Sequence, residues 1–267
     1  MVRENPLVGL GETDNVLLGA GVETGNETLI EIYGRLGLDW VWVDLEHKNR
    51  SPYDSQYVER LRRAADCGDT ELVVRVPNGQ PDLVRKVLDA GVRNICVPRV
   101  QTADEVRQAV RASRFEYDEG PGRRGLSQGR ASGYGDAFQK SSGDDFHERA
   151  DSEVTVGVLI EDERAVANLD AILDVPGLGF VFPGPGDLGV SMGRTLEYDD
   201  EDVQANLRKV VEGCRDRDIP LLGMHTSNFT GPEGTREAIE RGYQILSLGN
   251  DFKAVREVFS ERMGWVE

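Results

Sequence analysis

ELVVRVPNGQPDLVRKVLDAGVRNICV, residues 71–97, contains a whole strand, helix and strand. The run 71–76 is β-branched and apolar, Asn78-Gly79-Gln80 breaks it, and Pro81 suits the first position of a helix. Over 81–90 the apolar residues Leu83, Val87, Leu88 and Ala90 form one helical stripe, Gly91 stops it, and a second β-rich run follows at 94–97. Two strands joined through a helix pair in parallel by a right-handed crossover. The same rhythm extends in both directions, with β-rich runs at 15–18, 40–44, 154–160, 179–182, 220–223 and 244–248, which makes eight. A helix-then-glycine stop recurs at Gly37, Gly177 and Gly242, each shortly before a strand, without any internal sequence repeat. Eight such units close a barrel, so the expectation is an α/β chain folded as one (β/α)8 TIM barrel domain over residues 1–267.

Two segments depart from the rhythm. A helix is expected at 102–113, and after it residues 115–152 are rich in Gly, Ser, Arg and Asp and too long for an ordinary connection. They predict an ordered loop excursion with a mobile part around 140–145. The segment after Asp251 reads as a final amphipathic helix, packing on the barrel or on a neighbour.

Composition limits the partners. Of 267 residues 39% are hydrophobic and 30% charged, and the formal net charge is −17. Such a field repels nucleic acid and anionic lipid. No apolar run is long enough to span a bilayer, and residues 1–10 do not read as a leader, so a cytoplasmic protein is expected. Only five of the 31 basic residues are lysines, and abundant acid with little lysine predicts adaptation to salt, a halophilic source. Cys67, Cys96 and Cys214 are odd in number and widely spaced, which points to reduced, buried or half-buried thiols rather than a zinc cluster or disulfides.

A barrel of this kind builds its site at the C-terminal strand ends. Those ends carry Asp44 followed by Leu45, Glu46 and His47; Arg75; Glu161; and Pro183-Gly-Pro-Gly-Asp187. Glu161 and Asp187, from neighbouring strands, suit a hard divalent cation, Mg²⁺ or Mn²⁺ with Co²⁺ as a further option, that leaves positions for a 2-keto acid and water. Each alone also reads as a helix-start carboxylate. His47 lies beside Asp44 and Glu46, which can orient its ring; a solvated surface histidine is the plainer reading, and more so for His147. His225, after the seventh strand, is a minor candidate. Arg75 in an apolar run needs an anion, either a structural carboxylate or a substrate oxyanion. The glycines of 183–187 allow close backbone approach to a carboxylate, and Arg123 and Arg124 in GPGRRG suggest another anion contact.

Taken together these pieces resemble the HpcH/HpaI aldolase family of class II pyruvate aldolases. The resemblance runs over nearly the whole chain and rests on GLDWVWVDLEHKNRS (37–51), VVRVP (73–77), LDAGVRNICVPRVQTADEV (88–106), GPGRRG (120–125), Ile160-Glu161 and GPGDLGVSMG (184–193). It implies metal ligation by Glu161 and Asp187, a keto or enolate contact from Arg75, His47 as base through water with Asp44 orienting it, and carboxylate binding by the Gly186 and Asp187 amides. It also implies a homo-oligomer, a hexamer that exchanges C-terminal elements. Leu159 stands where the family usually has Gln, Gly189 where it has Ser, and RFEYDEGPGRRG lacks the family's Pro-Pro, so the substrate's far end is expected to differ. The expected reaction is cleavage of a 4-hydroxy-2-keto acid to pyruvate and an aldehyde through an enolate; oxaloacetate decarboxylation, an acyl-CoA thioester lyase and a noncatalytic metabolite-binding barrel are the alternatives.

Overall fold

The computed structural model describes residues 4–224 and 231–265. Eight parallel strands close a barrel: β1 (Leu17–Gly21), β2 (Trp40–Asp44), β3 (Glu71–Arg75), β4 (Asn94–Val97), β5 (Thr155–Ile160), β6 (Leu178–Pro183), β7 (Leu221–Gly223) and β8 (Tyr243–Asn250). Each pairs with the next in the chain, and Leu17 of β1 pairs with Ile245 of β8 to complete the ring. All eight expected strands are present. The first moves from 15–18 to Leu17–Gly21, because its register is set by pairing with β8 and β2 rather than by local apolar content.

The helices begin with α1 (Glu27–Arg35), α2 (Ser55–Gly68), α3 (Pro81–Asp89), α4 (Ala103–Ala112), α5 (Asp136–Lys140) and α6 (Gly143–Ser152). They continue with α7 (Glu163–Ala167), α8 (Leu169–Leu173), α9 (Pro185–Ser191), α10 (Glu201–Arg215), α11 (Gly231–Glu240) and α12 (Asp251–Met263). Helix α4 starts from a capping box, Thr102 with Glu105, satisfying two otherwise orphaned amides. Gly37, Gly91, Gly177 and Gly242 take left-handed φ values of 90°, 95°, 79° and 93° before β2, β4, β6 and β8, as the helix-then-glycine pattern requires.

Strand alternation divides the core into two. Outward side chains such as Val41, Val43, Leu72, Val74, Ile95 and Val158 pack under the helices. Inward ones, Trp40, Trp42, Val73, Cys96, Leu159, Phe180, Leu222 and Ile245, fill the barrel, and Leu7 and Leu10 join them. Large and small residues interlock there. A Cβ at Gly157 would sit 2.3 Å from the Phe180 ring, and one at Gly19 would sit 2.4 Å from that of Trp40. At the N-terminal end, fully buried Glu71 binds Arg62 at 2.6 Å and also Arg93, a buried charge triad at the end opposite the chemistry. Cys96 and Cys214 are buried and Cys67 is exposed. Burial pushes the Cys214 thiol up to about 12.

The excursion is ordered. It holds a small hairpin (Glu116–Tyr117 with Gly120–Pro121), a 3-10 turn (Arg130–Ser132), α5 and α6. The part expected to be mobile spans the end of α5 and the start of α6, where Ser142 Oγ accepts the Asp145 amide at 3.3 Å. Arg130 pairs with Asp66, and Arg63 Nη2 donates to Tyr134 Oη at 2.9 Å, so the excursion lies along α2.

Candidate active site

Four strands, β2, β3, β5 and β6, deliver the polar groups. β2 ends in Asp44 and β3 in Arg75, which face each other in register. Arg75 Nε donates to Asp44 Oδ1 at 3.0 Å and its Nη2 to Oδ2 at 2.6 Å, a two-point pair that fixes the guanidinium in a plane. The guanidinium carbon lies 5.9 Å from the centre of the Trp42 ring below it. Asp44 Oδ1 also accepts the amides of Glu46 (2.9 Å) and His47 (3.3 Å), which curls the chain after β2 over the strand ends. Burial works to raise the Asp44 carboxyl, but Arg75 and the two amides outweigh it and hold it below the ordinary range.

Glu46, expected with Asp44 as a carboxylate able to orient the His47 ring, also meets Arg75. Its Oε2 lies 3.2 Å from Arg75 Nε and 3.4 Å from His47 Nε2. Asp44 therefore touches His47 through the backbone, and the carboxylate next to the ring is Glu46. Burial raises the Glu46 carboxyl, with Arg75 and His47 acting against it.

Glu161, one residue past β5, is 5% exposed. Its Oε1 accepts the backbone amide of Arg99 at 2.8 Å. Its Oε2 faces Gly184, where a Cβ would come within 3.2 Å. Burial raises its carboxyl; the Arg99 amide lowers it, while Asp187 and Glu46 raise it further. Asp187 sits exposed in the first turn of α9, beside Glu161 and without a side-chain partner among the described residues. The first helical bond of α9 runs from the Leu188 amide to Gly184 O, so the Gly186 and Asp187 amides precede the hydrogen-bonded turn. Glu161 and Asp187 offer hard oxygen donors. Among the described residues no group of three or more His, Cys, Asp or Glu is placed to hold a metal. Two carboxylates, with water and substrate completing the sphere, fit Mg²⁺ or Mn²⁺ better than zinc.

The structure thus brings together Asp44, His47, Arg75, Glu161, Gly186 and Asp187. It does not bring in Arg124. That guanidinium donates to Ala150 O at 2.8 Å and stacks over Phe115, in a connection that enters β5 at its N-terminal end. A structural contact replaces the expected substrate contact. Leu159, where a polar contact was in question, is buried in the barrel interior under the site. His147 stacks on Phe115 within the excursion, and His225 lies outside the described residues.

A closed parallel barrel with carboxylates and an arginine at the carboxyl ends of its strands defines the class, a (β/α)8 barrel with a polar cluster where such barrels build active sites. Residues 21–257 match the family model of HpcH/HpaI aldolase/citrate lyase, and the chain belongs to that family. It is 35% identical over 244 residues to the hydroxypyruvate/pyruvate aldolase of Roseobacter denitrificans, covering 90% of this chain and 88% of that protein. It is 30% identical over 236 residues to the 2-dehydro-3,6-dideoxy-6-sulfogluconate aldolase of Pseudomonas putida, covering 88% and 86%. The crystal structure of an HpcH/HpaI aldolase/citrate lyase family protein from Burkholderia cenocepacia superposes with a TM-score of 0.85 at 29% identity, covering 97% of both chains. The protein is an aldolase or lyase of this family. No described helix is long and apolar enough to cross a membrane.

Proposed function

We propose that the chain is a divalent-metal-dependent pyruvate aldolase that splits a 4-hydroxy-2-keto acid into pyruvate and an aldehyde. The observation that carries this reading is Glu161: a buried carboxylate, held by one oxygen on the Arg99 amide, with its other oxygen open beside Gly184 and Asp187 close by. A cation bound there would offset the burial and the two neighbouring acids that oppose ionisation of this carboxylate. Glu161 and Asp187 would hold Mg²⁺, Mn²⁺ or Co²⁺, which when bound supplies Lewis acidity at the keto oxygen.

The chain's own residues do the rest. Asp44 takes the Nε and Nη2 edge of Arg75, which leaves Nη1 to meet the oxyanion as charge develops. The Gly186 and Asp187 amides orient the keto acid's carboxylate. His47, with its side chain 59% exposed, takes the proton of the 4-hydroxyl through water. A carboxylate beside Nε2 favours the proton on that nitrogen and leaves Nδ1 as the acceptor. Oxaloacetate decarboxylation uses the same groups and is expected as a side activity. A thioester lyase would want a basic groove for nucleotide phosphates, and Arg124 is committed elsewhere.

The reading includes a homo-oligomer, supported by α12, where Phe252, Val255, Phe259 and Met263 are exposed along one side. The test is pyruvate release from a panel of 4-hydroxy-2-keto acids and oxaloacetate, after EDTA and again after added Mg²⁺ or Mn²⁺. Metal-restored cleavage of a hydroxy-keto acid supports the reading, and silence from folded, metal-loaded protein overturns it.

A further inference from the structure

Arg99 follows β4 by two residues, at the same end of the barrel as the site, and stands in the left-handed region with φ of 55°. A non-glycine residue is strained there. The backbone has a use for this turn, since it aims the Arg99 amide at Glu161 Oε1. Glycine would give the same amide without the strain, so the backbone does not explain an arginine at this position.

The side chain is exposed, and among the described residues no carboxylate lies within ion-pair distance of it. Other cations that follow β2 and β3 at this end of the barrel are engaged: Arg75 by Asp44 and Glu46, Lys48 by Glu23, and Arg50 over the Tyr57 ring. Its charge nonetheless reaches the site, where it adds a small pull toward ionisation at Glu46, a carboxyl that burial raises. A guanidinium at the mouth, available in a protein with 48 acidic residues, is a fork for a planar anion brought from outside.

We propose that Arg99 is the specificity-determining residue for the acceptor half of the substrate, selecting aldehydes that carry a carboxylate at the far end. The proposal rests on the aldolase reading, and the test separates the two. Wild type, Arg99→Gln, Arg99→Lys and Arg99→Gly are assayed for aldol addition of pyruvate to succinic semialdehyde and to butanal, an uncharged aldehyde of the same chain length, with Mn²⁺ present. Arg99→Gly keeps the amide on Glu161 and relieves the left-handed strain, so it should melt no lower than wild type.

The expected result is a loss of kcat/KM of about 10- to 100-fold for succinic semialdehyde in the Gln and Gly variants. Butanal should stay within about 2-fold, and Lys should retain an intermediate preference. Wild-type preference for the anionic acceptor should shrink as salt rises. An equal fall for both aldehydes would mean that Arg99 only balances the site's charge, and unchanged discrimination would mean that it does not meet the acceptor; either overturns the proposal and leaves the aldolase reading standing. No addition by wild type to any acceptor overturns both.

Discussion

Glu161 stands at the meeting point of two opposite electrostatic demands. Its carboxyl is raised, so its ionised form weakens the metal-free fold, and that cost grows as pH rises through its pKa. Asp44 has the reverse sign: its lowered carboxyl adds stability that is present above the unfolded value and is lost as pH falls through the folded one. Glu161→Gln is expected to abolish metal-dependent turnover, by more than about 100-fold, while the metal-free variant melts at or above wild type. Steady-state kinetics and thermal unfolding in EDTA check both halves. A proton competes with a metal for this carboxylate, so Mn²⁺ affinity should begin to fall, as pH is lowered, at a pH above the ordinary glutamate range; titration calorimetry across pH reads this directly. Asp44, Arg75 and Glu161 were legible in the sequence because a strand end names its own last residue. The Glu46 contact with Arg75 and the Arg99 amide were not, since they depend on how chain beyond the strands curls back through space. For Arg124 the available signal was topological: a segment lying between a helix and the next strand emerges at the N-terminal end, away from the chemistry.

At the scale of elements, the strands were readable from alternation and the helix stops from glycine, because both are local. The fit of one strand against the next was not. Gly157 opposes Phe180 in register between β5 and β6, and its missing side chain is the space the ring occupies. Gly157→Ala should therefore destabilise by about 1–3 kcal/mol, as overpacking does, measured by urea unfolding. Helix α12 is the other case. Its end next to the barrel is tied by Asp251, which accepts the amides of Glu23 (2.8 Å) and Thr24 (3.0 Å), while the apolar residues beyond are uncovered. Phe259→Asp should lower the sedimenting mass in analytical ultracentrifugation and leave the far-ultraviolet circular dichroism of each subunit unchanged; a mass unaffected by the substitution would remove α12 from the interface.

For the molecule as a whole, 48 acidic against 31 basic residues make self-repulsion a standing cost in dilute buffer. Screening shortens the reach of that repulsion to about 3 Å at 1 M salt. Thermal unfolding is therefore expected to shift upward from dilute buffer to molar KCl; a maximum in dilute buffer would refute the halophilic reading. The buried pairs are less exposed to this effect, and Glu71 with Arg62 should hold across the range. Charge composition was fully legible in the sequence, but its arrangement was not: the chain shows how many carboxylates there are, not that four of them converge on one barrel mouth.

Ring closure also sets a clock. Leu17 pairs with Ile245, and the Gln244 side chain donates to Leu10 O at 3.1 Å and Thr13 O at 2.7 Å, so β1 and the segment before it are secured by residues near the other end of the chain. A ribosome making this protein releases β1 long before its partner exists. Until β8 arrives, β1 presents an open edge able to pair with another nascent chain. Such distant closure slows folding and leaves intermediates open to aggregation, so the yield of native protein should depend on synthesis rate and chaperone supply more steeply than the stability of the finished barrel would suggest.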